Sequence, residues 1–205
     1  MIKLDDQMYC ELKQNVVKAY RQLGFIRIPV DPLELLASDG IQAIPYSIGL
    51  NIWNLNDLMT LSACPSGMSI ALEGRKNTTK LAFYNDYESQ GRIRFTVAHE
   101  AAHCFLGHKE DSELAERQAN FWARYAIAPP ALIYCKGLRS AAEVADQFGL
   151  SNECAGYAFN AYMKWQNHCI NDKQIDDSII DLYVQGLLLG ERAKGRPSEE
   201  RCLQL

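Results

Sequence analysis

At 205 residues, 48% of them hydrophobic and 22% charged, the chain has room for one domain with a real buried core, or for one domain with a small helical appendage. Its 21 Lys and Arg against 25 Asp and Glu leave a net charge of −4, which argues against a general nucleic-acid binder with its basic surplus. The 7 cysteines are odd in number, widely scattered and form no CxxC pair, a pattern of reduced thiols in a cytosolic protein rather than a disulfide framework.

The first 13 residues mix both charge signs and carry no apolar h-region, so they do not read as a signal peptide. Met8, Leu12, Val16, Ala19, Tyr20 and Leu23 recur at steps of three and four. They predict an amphipathic helix over 6–23, closed by Gly24. Asp31 then supplies an N-cap, Pro32 the first helical position and Gly40 a stop, framing a short helix with Leu33, Leu36 and Ala37 inward. Residues 41–46 read as a strand and 47–57 as a loop. Three strand-like pieces follow, 58–62, 68–72 and 80–84, and suggest a small antiparallel meander. From about residue 90 the chain turns helical, with Gly107, Pro129-Pro130, Gly137, Gly149 and Gly190 dividing it into helices near 90–106, 112–127, 131–136, 140–148, 151–166 and 176–189. The longest apolar stretch, Ile179 to Gly190, is broken by Asp181 and Gln185 and falls short of the ~20 residues of a membrane span. Helix, then small sheet, then helices is an α+β order, not an alternating βαβ one. It divides into a domain over 1–137, a helical extension over 138–190 and a loose polar tail over 191–205.

The chemistry concentrates at His99-Glu100-Ala101-Ala102-His103, an HExxH sequence. On a helix, residues four apart share a face, so both imidazoles can reach one metal ion. Glu100 stands about 100° around the helix, beyond easy ligation but within reach of a metal-bound water. Two imidazoles and a carboxylate, with a fourth position left to water, suit Zn²⁺. The third ligand is sought on the next helix, where Glu116, Asn120 and Ala123 share a face. Glu116 is favoured over Glu113, three residues earlier, because only Glu116 has a polar partner one turn on. That partner, Asn120, is placed to accept a hydrogen bond from the outer N–H of a ligand histidine.

The motifs together resemble the ImmA/IrrE family of zinc metallopeptidases. The resemblance runs through Tyr84-Asn85, then Arg92 to His108 around the HExxH, then Glu116-x-x-Ala119-Asn120-x-Trp122-Ala123 and Ala126-Ile127-Ala128-Pro129. It is strong over 84–130 and weaker across most of the first 150 residues; the family often has Phe at the place of Trp122. It implies a zincin-like peptidase of the gluzincin type, with His99, His103 and Glu116 as zinc ligands and Glu100 as catalytic base. Family members typically act in the bacterial cytosol on DNA-binding repressors of mobile elements or stress regulons. A repressor-like or antitoxin-like protein on a separate chain is therefore the expected substrate, with sequestration without cleavage as the alternative.

Tyr46, Tyr84 and Tyr125 are all candidate donors to the oxyanion, and the sequence does not choose among them. His108, beyond Gly107, reads as a surface or capping residue, and Cys104 as a small buried apolar one. Arg92 and Arg94 are read as partners of acidic residues or of substrate. Residues 142–159 fit a helix-turn-helix pattern, but from Ser151 to Met163 the only charged residue is Glu153, so direct DNA contact is not expected; with no apolar run of spanning length, no membrane partner is expected either.

Overall fold

A computed structural model describes residues 4–52, 63–73, 78–110, 112–168 and 173–194. The first helix, α1 (Asp6–Leu23), starts where the Asp5 carboxylate accepts from the Met8 N–H and ends at Gly24, whose φ of 86° only a glycine adopts readily. It buries Leu12, Val16, Val17, Ala19 and Tyr20. In α2 (Pro32–Ser38) Asp31 caps the Leu33 N–H at 2.9 Å. The inward residues are Pro32, Leu35 and Leu36; Leu33 and Ala37 face out, one helical step from the set expected.

Strand β1 (Gln42–Pro45) runs straight into a helix, α3 (Tyr46–Ile52), where local periodicity suggested only a loop. A distant residue makes the difference. Asp86 accepts from both the Ser47 N–H (3.0 Å) and the Ser47 hydroxyl (2.5 Å), capping this helix from 39 positions away. Tyr46 is buried and donates to the Cys64 carbonyl at 2.8 Å.

Strands β2 (Gly67–Glu73) and β3 (Thr78–Tyr84) complete the sheet, in the order β1-β3-β2. β2 pairs antiparallel with β3, from Gly67 opposite Tyr84 to Glu73 opposite Thr78, whereas β1 lies parallel to β3 with Gln42 opposite Leu81. The antiparallel pairing expected of 68–72 with 80–84 is present, and β1 adds a parallel strand on the other side of β3, so the sheet as a whole is mixed. The chain passes from β1 to the far edge before β3 returns between them, and a crossover of that kind leaves no local trace. The expected strand at 58–62 lies outside the described residues. Central position explains why Leu81, Ala82 and Phe83 are all buried: Ala82 joins the main core, while Leu81 and Phe83 pack with Tyr46 on the other face.

The main core is built chiefly from helices, with α4 (Gln90–Leu106) and α5 (Glu113–Ile127) packed together in it and Ala82 contributed by the sheet. Ala98, Ala101 and Ala102 of α4 are fully buried, and such small side chains let α5 and the sheet approach closely. Trp122 of α5 stacks on Phe105 with centroids 5.4 Å apart, and its indole N–H donates to Asn15 of α1 at 2.8 Å. That bond satisfies the one polar atom that distinguishes this side chain from the Phe common in the resembling family. Helices α6 (Pro130–Cys135), α7 (Ala141–Phe148), α8 (Asn152–His168) and α9 (Lys173–Lys194) complete the described chain. α8 packs on α5, α6 and α7, and α9 on α1 and α6, so the C-terminal helices share the core of the rest. No described helix is long and apolar enough to cross a membrane. The architecture is α+β and zincin-like: a small sheet laid against a buried helix that carries the HExxH residues.

Candidate active site

α4 brings His99 and His103 to one face, one turn apart. α5 opens at Ser112, whose hydroxyl accepts from the Ala115 N–H at 3.1 Å, and this start sets Glu116 opposite the two imidazoles. His99 Nε2 lies 3.0 Å from His103 Nε2, and the two Glu116 oxygens lie 3.4 Å from His99 Nε2 and 3.2 Å from His103 Nε2. A divalent ion bonded tetrahedrally at about 2.0–2.1 Å needs its ligand atoms about 3.3–3.4 Å apart, so three donors are gathered at the separation one ion requires. Glu113 is turned elsewhere and pairs with Arg117 at 3.0 Å along the helix surface. Burial above all, then the charges of His103, Arg124, Arg92 and His108, hold the His99 imidazole down to about 4, in the neutral form that can donate its lone pair.

Glu100 is 6% exposed, yet it lines the same cavity as the three ligand atoms. It faces the edge strand at Gly67, where a Cβ would sit 2.6 Å from Thr96 Cγ2, 2.9 Å from the Phe83 carbonyl oxygen and 3.2 Å from Glu100 Cγ. Glycine is thus what lets β2 lie directly on α4 beside the carboxylate. Gly67→Ala is expected to push the strand outward and cost about 1–3 kcal/mol, read by chemical denaturation. A stability equal to the wild type would show that β2 can retreat without strain.

The cavity encloses about 690 Å³. One wall is the turn from Cys64 to Ser66 and strand β2 as far as Ile70; the floor is α4 with Thr96, His99, Glu100 and His103. Glu116, Asn120 and Arg124 of α5, with Ser151, Glu153, Cys154 and Tyr157 from the start of α8, form the opposite side. Asn85 holds the turn in place: its amide nitrogen donates to the Pro65 carbonyl (2.9 Å) and its backbone N–H to the Ser66 carbonyl (2.8 Å). Arg92 reaches the same turn, donating to the Ser66 hydroxyl at 3.0 Å while lying 3.6 Å from Glu88. Arg94 turns away and donates to the Val30 carbonyl. Asn120 lines the cleft, but its amide nitrogen donates to the Glu116 carbonyl one turn back at 2.8 Å, a bond within its own helix. Cys104 points into the core, where burial pushes its thiol up to about 11.

None of Tyr46, Tyr84 and Tyr125 is among the described residues that line the cleft; Tyr157 is. The Arg124 guanidinium stands 4.3 Å from the Tyr157 ring centre and 5.9 Å from that of Phe95. Sequence reasoning missed Arg124 and Tyr157, since nothing local marks two side chains that meet across different helices. It also missed that His108 Nδ1 lies 3.0 Å from His103 Nδ1.

Residues 62–160 match the family model Peptidase_M78, the IrrE N-terminal-like domain. Over this stretch the chain is similar to the IrrE-like peptidases. All the described cleft residues, from Ala63 to Tyr157, fall inside the matched stretch, so the IrrE-like domain takes in the turn at its start and the first half of α8 at its end. A comparison with curated proteins found no match.

The depressed His99 makes the stability of the metal-free IrrE-like domain depend on pH. Its folded-state value lies near 4 against 6.5 for the unfolded chain, so the unfolded state takes up the proton first on acidification. The contribution is complete above about pH 6.5 and is lost as pH falls toward 4. Urea titrations of chelator-treated protein should show stability dropping across that window, by at most on the order of 3 kcal/mol, with a shallower drop in His99→Gln. Equal pH dependence in the two proteins would remove His99 as the cause.

Proposed function

We propose that this protein is a zinc-dependent endopeptidase that cuts a separate DNA-binding repressor in the cytoplasm. The observation that carries the enzymatic reading is Glu100: a buried carboxylate that opens into the cavity holding the His99, His103 and Glu116 donor atoms. A site meant only to hold a metal has no use for it. Zinc held by these three residues supplies Lewis acidity, making water acidic at neutral pH and polarising a peptide carbonyl. The protein's own residues do the rest. A Glu100 carboxylate oxygen takes the proton of the attacking water and returns it to the nitrogen of the leaving amine.

The outer edge of β2 bears no further strand among the described residues, and Gly67 to Ile70 line the cleft. An extended substrate segment can add to this edge through main-chain hydrogen bonds, which places its peptide bonds past Glu100 whatever their side chains. Arg124 and Tyr157 then offer a cationic and aromatic surface on the opposite side. The family match supports a peptidase; the choice of a repressor as substrate rests on the sequence resemblance alone.

The test is to incubate the zinc-loaded protein with any repressor-like protein found encoded beside it and to identify new termini by mass spectrometry. The reading expects one discrete cut that a chelator stops. Tight binding with full zinc occupancy and no cut would replace it with sequestration.

A further inference from the structure

We propose that His108 and Gln118 form a hydrogen-bonded relay that holds His103 in the tautomer whose Nε2 lone pair faces the metal group, so that His108 is a positioning residue of the centre. This rests on the metal reading above. Gly107 adopts φ 70°, its N–H donates to the Cys104 carbonyl (3.3 Å), and the His108 N–H donates to the His103 carbonyl (3.0 Å). This pair of bonds is the glycine-terminated helix end that folds the second residue past the helix onto the one five positions earlier. The side-chain contact it creates is ordinarily apolar. Here both partners are histidines.

Their Nδ1 atoms meet at 3.0 Å, with ring planes 74° apart. Two ring nitrogens at that distance share one proton, and the third member decides which ring owns it. His108 Nε2 lies 3.1 Å from Gln118 Oε1. An amide oxygen only accepts, so the His108 proton sits on Nε2 and its Nδ1 is the acceptor. The shared proton therefore belongs to His103 Nδ1. That turns the His103 Nε2 lone pair toward the metal group, where His99 Nε2, 3.0 Å away, can donate to it and Glu116 Oε1 lies 3.2 Å away as the next ligand atom.

The relay thus prepares one ligand atom before any ion arrives. His99 differs: its Nδ1 is buried with no hydrogen-bond partner, so no comparable bond sets its tautomer. Gln118 stands two residues beyond Glu116 on α5, so the same relay fastens the His103 ring to the helix that carries the carboxylate. Partners of this kind orient a ligand imidazole, and their removal typically costs about 10-fold to 100-fold in metal affinity.

The test uses the full chain and two readouts. The first is the tautomer of His103 in metal-free protein, from two-bond proton–nitrogen correlation spectra taken above the imidazole titration range. The second is zinc affinity by chelator competition. In the wild type, His103 should carry its proton on Nδ1. His108→Leu restores the ordinary apolar contact of this helix end and should keep the melting temperature of the metal-free protein. It should nonetheless mix the His103 tautomers and weaken zinc by about 10-fold to 100-fold. Gln118→Glu, which keeps an acceptor, should preserve both readouts, whereas Gln118→Leu should lose part of each. Wild-type His103 spectra and wild-type zinc affinity in folded His108→Leu would overturn the relay. Should that variant not fold, the Gln118 pair decides on the same two readouts. Should the His103 tautomer shift as expected while the wild type takes up no zinc, the relay stands and the metal reading falls.

Discussion

Glu100→Gln is expected to lower the rate of peptide cleavage by roughly 10²–10⁴-fold while zinc content and fold are kept. The amide matches the carboxylate in size, so the side chain keeps its buried place beside Gly67. It has no oxygen basic enough to take the proton of an attacking water, so the loss belongs to the chemical step. It should therefore appear in kcat, with KM nearly unchanged. Substrate binding through the edge of β2 does not pass through this side chain, so the variant should also trap its substrate uncut. Three measurements decide the matter: zinc per chain, thermal melting, and single-turnover cleavage. A variant that cuts at the wild-type rate would move the base elsewhere. A variant that loses zinc or fold would show that Glu100 holds the centre together rather than working in it.

What the sequence reveals here is what is encoded within a turn or two. Helix α1 is legible from end to end because Asp5, the apolar spacing and Gly24 all lie in the segment they organise. The His99 and His103 pair is legible for the same reason, and Glu116 follows because it lies on the very next helix. Helix α3 is not legible, because its cap is Asp86, on the far side of the sheet strands. Nor is the mixed sheet, whose parallel pair depends on where the chain crosses and not on which residues alternate. The helix-turn-helix spacing of α7 and α8 is read correctly as two helices, yet nothing in it says that Ser151 and Tyr157 face the cleft. Gly91 carries part of that information: a Cβ there would fall 2.6 Å from the Ser151 N, so α4 and the start of α8 touch backbone to side-chain-free backbone. His108 is an intermediate case. A glycine four residues past His103, followed at once by a second histidine, is a readable sign that the two rings will meet, because the glycine-ended turn fixes which residues are brought together.

Glu116→Ala should abolish tight zinc binding, with a larger loss than the roughly 10-fold to 100-fold that outer partners of a ligand cost. Glu116 supplies the one anion of the donor set, and removing it leaves two neutral imidazoles on one helix with nothing facing them. Its side chain is 49% exposed, and alanine is the better helix former, so the metal-free protein should be as stable as the wild type or slightly more so. The two effects separate in one experiment. Zinc raises the apparent stability of a protein that binds it in proportion to the logarithm of concentration over Kd. The wild type should therefore melt higher as zinc is added, and Glu116→Ala should not. Glu116→Asp withdraws the carboxylate by one methylene, about 1.5 Å, and should fall between them because its oxygens can no longer lie near both imidazoles. Glu113→Ala supplies the control: its carboxylate is paired with Arg117 on the helix surface, and the variant should keep the full zinc-dependent shift. A normal shift in Glu116→Ala together with a lost one in Glu113→Ala would mean that α5 turns in solution to present the other carboxylate, and the ligand set would have to be rewritten.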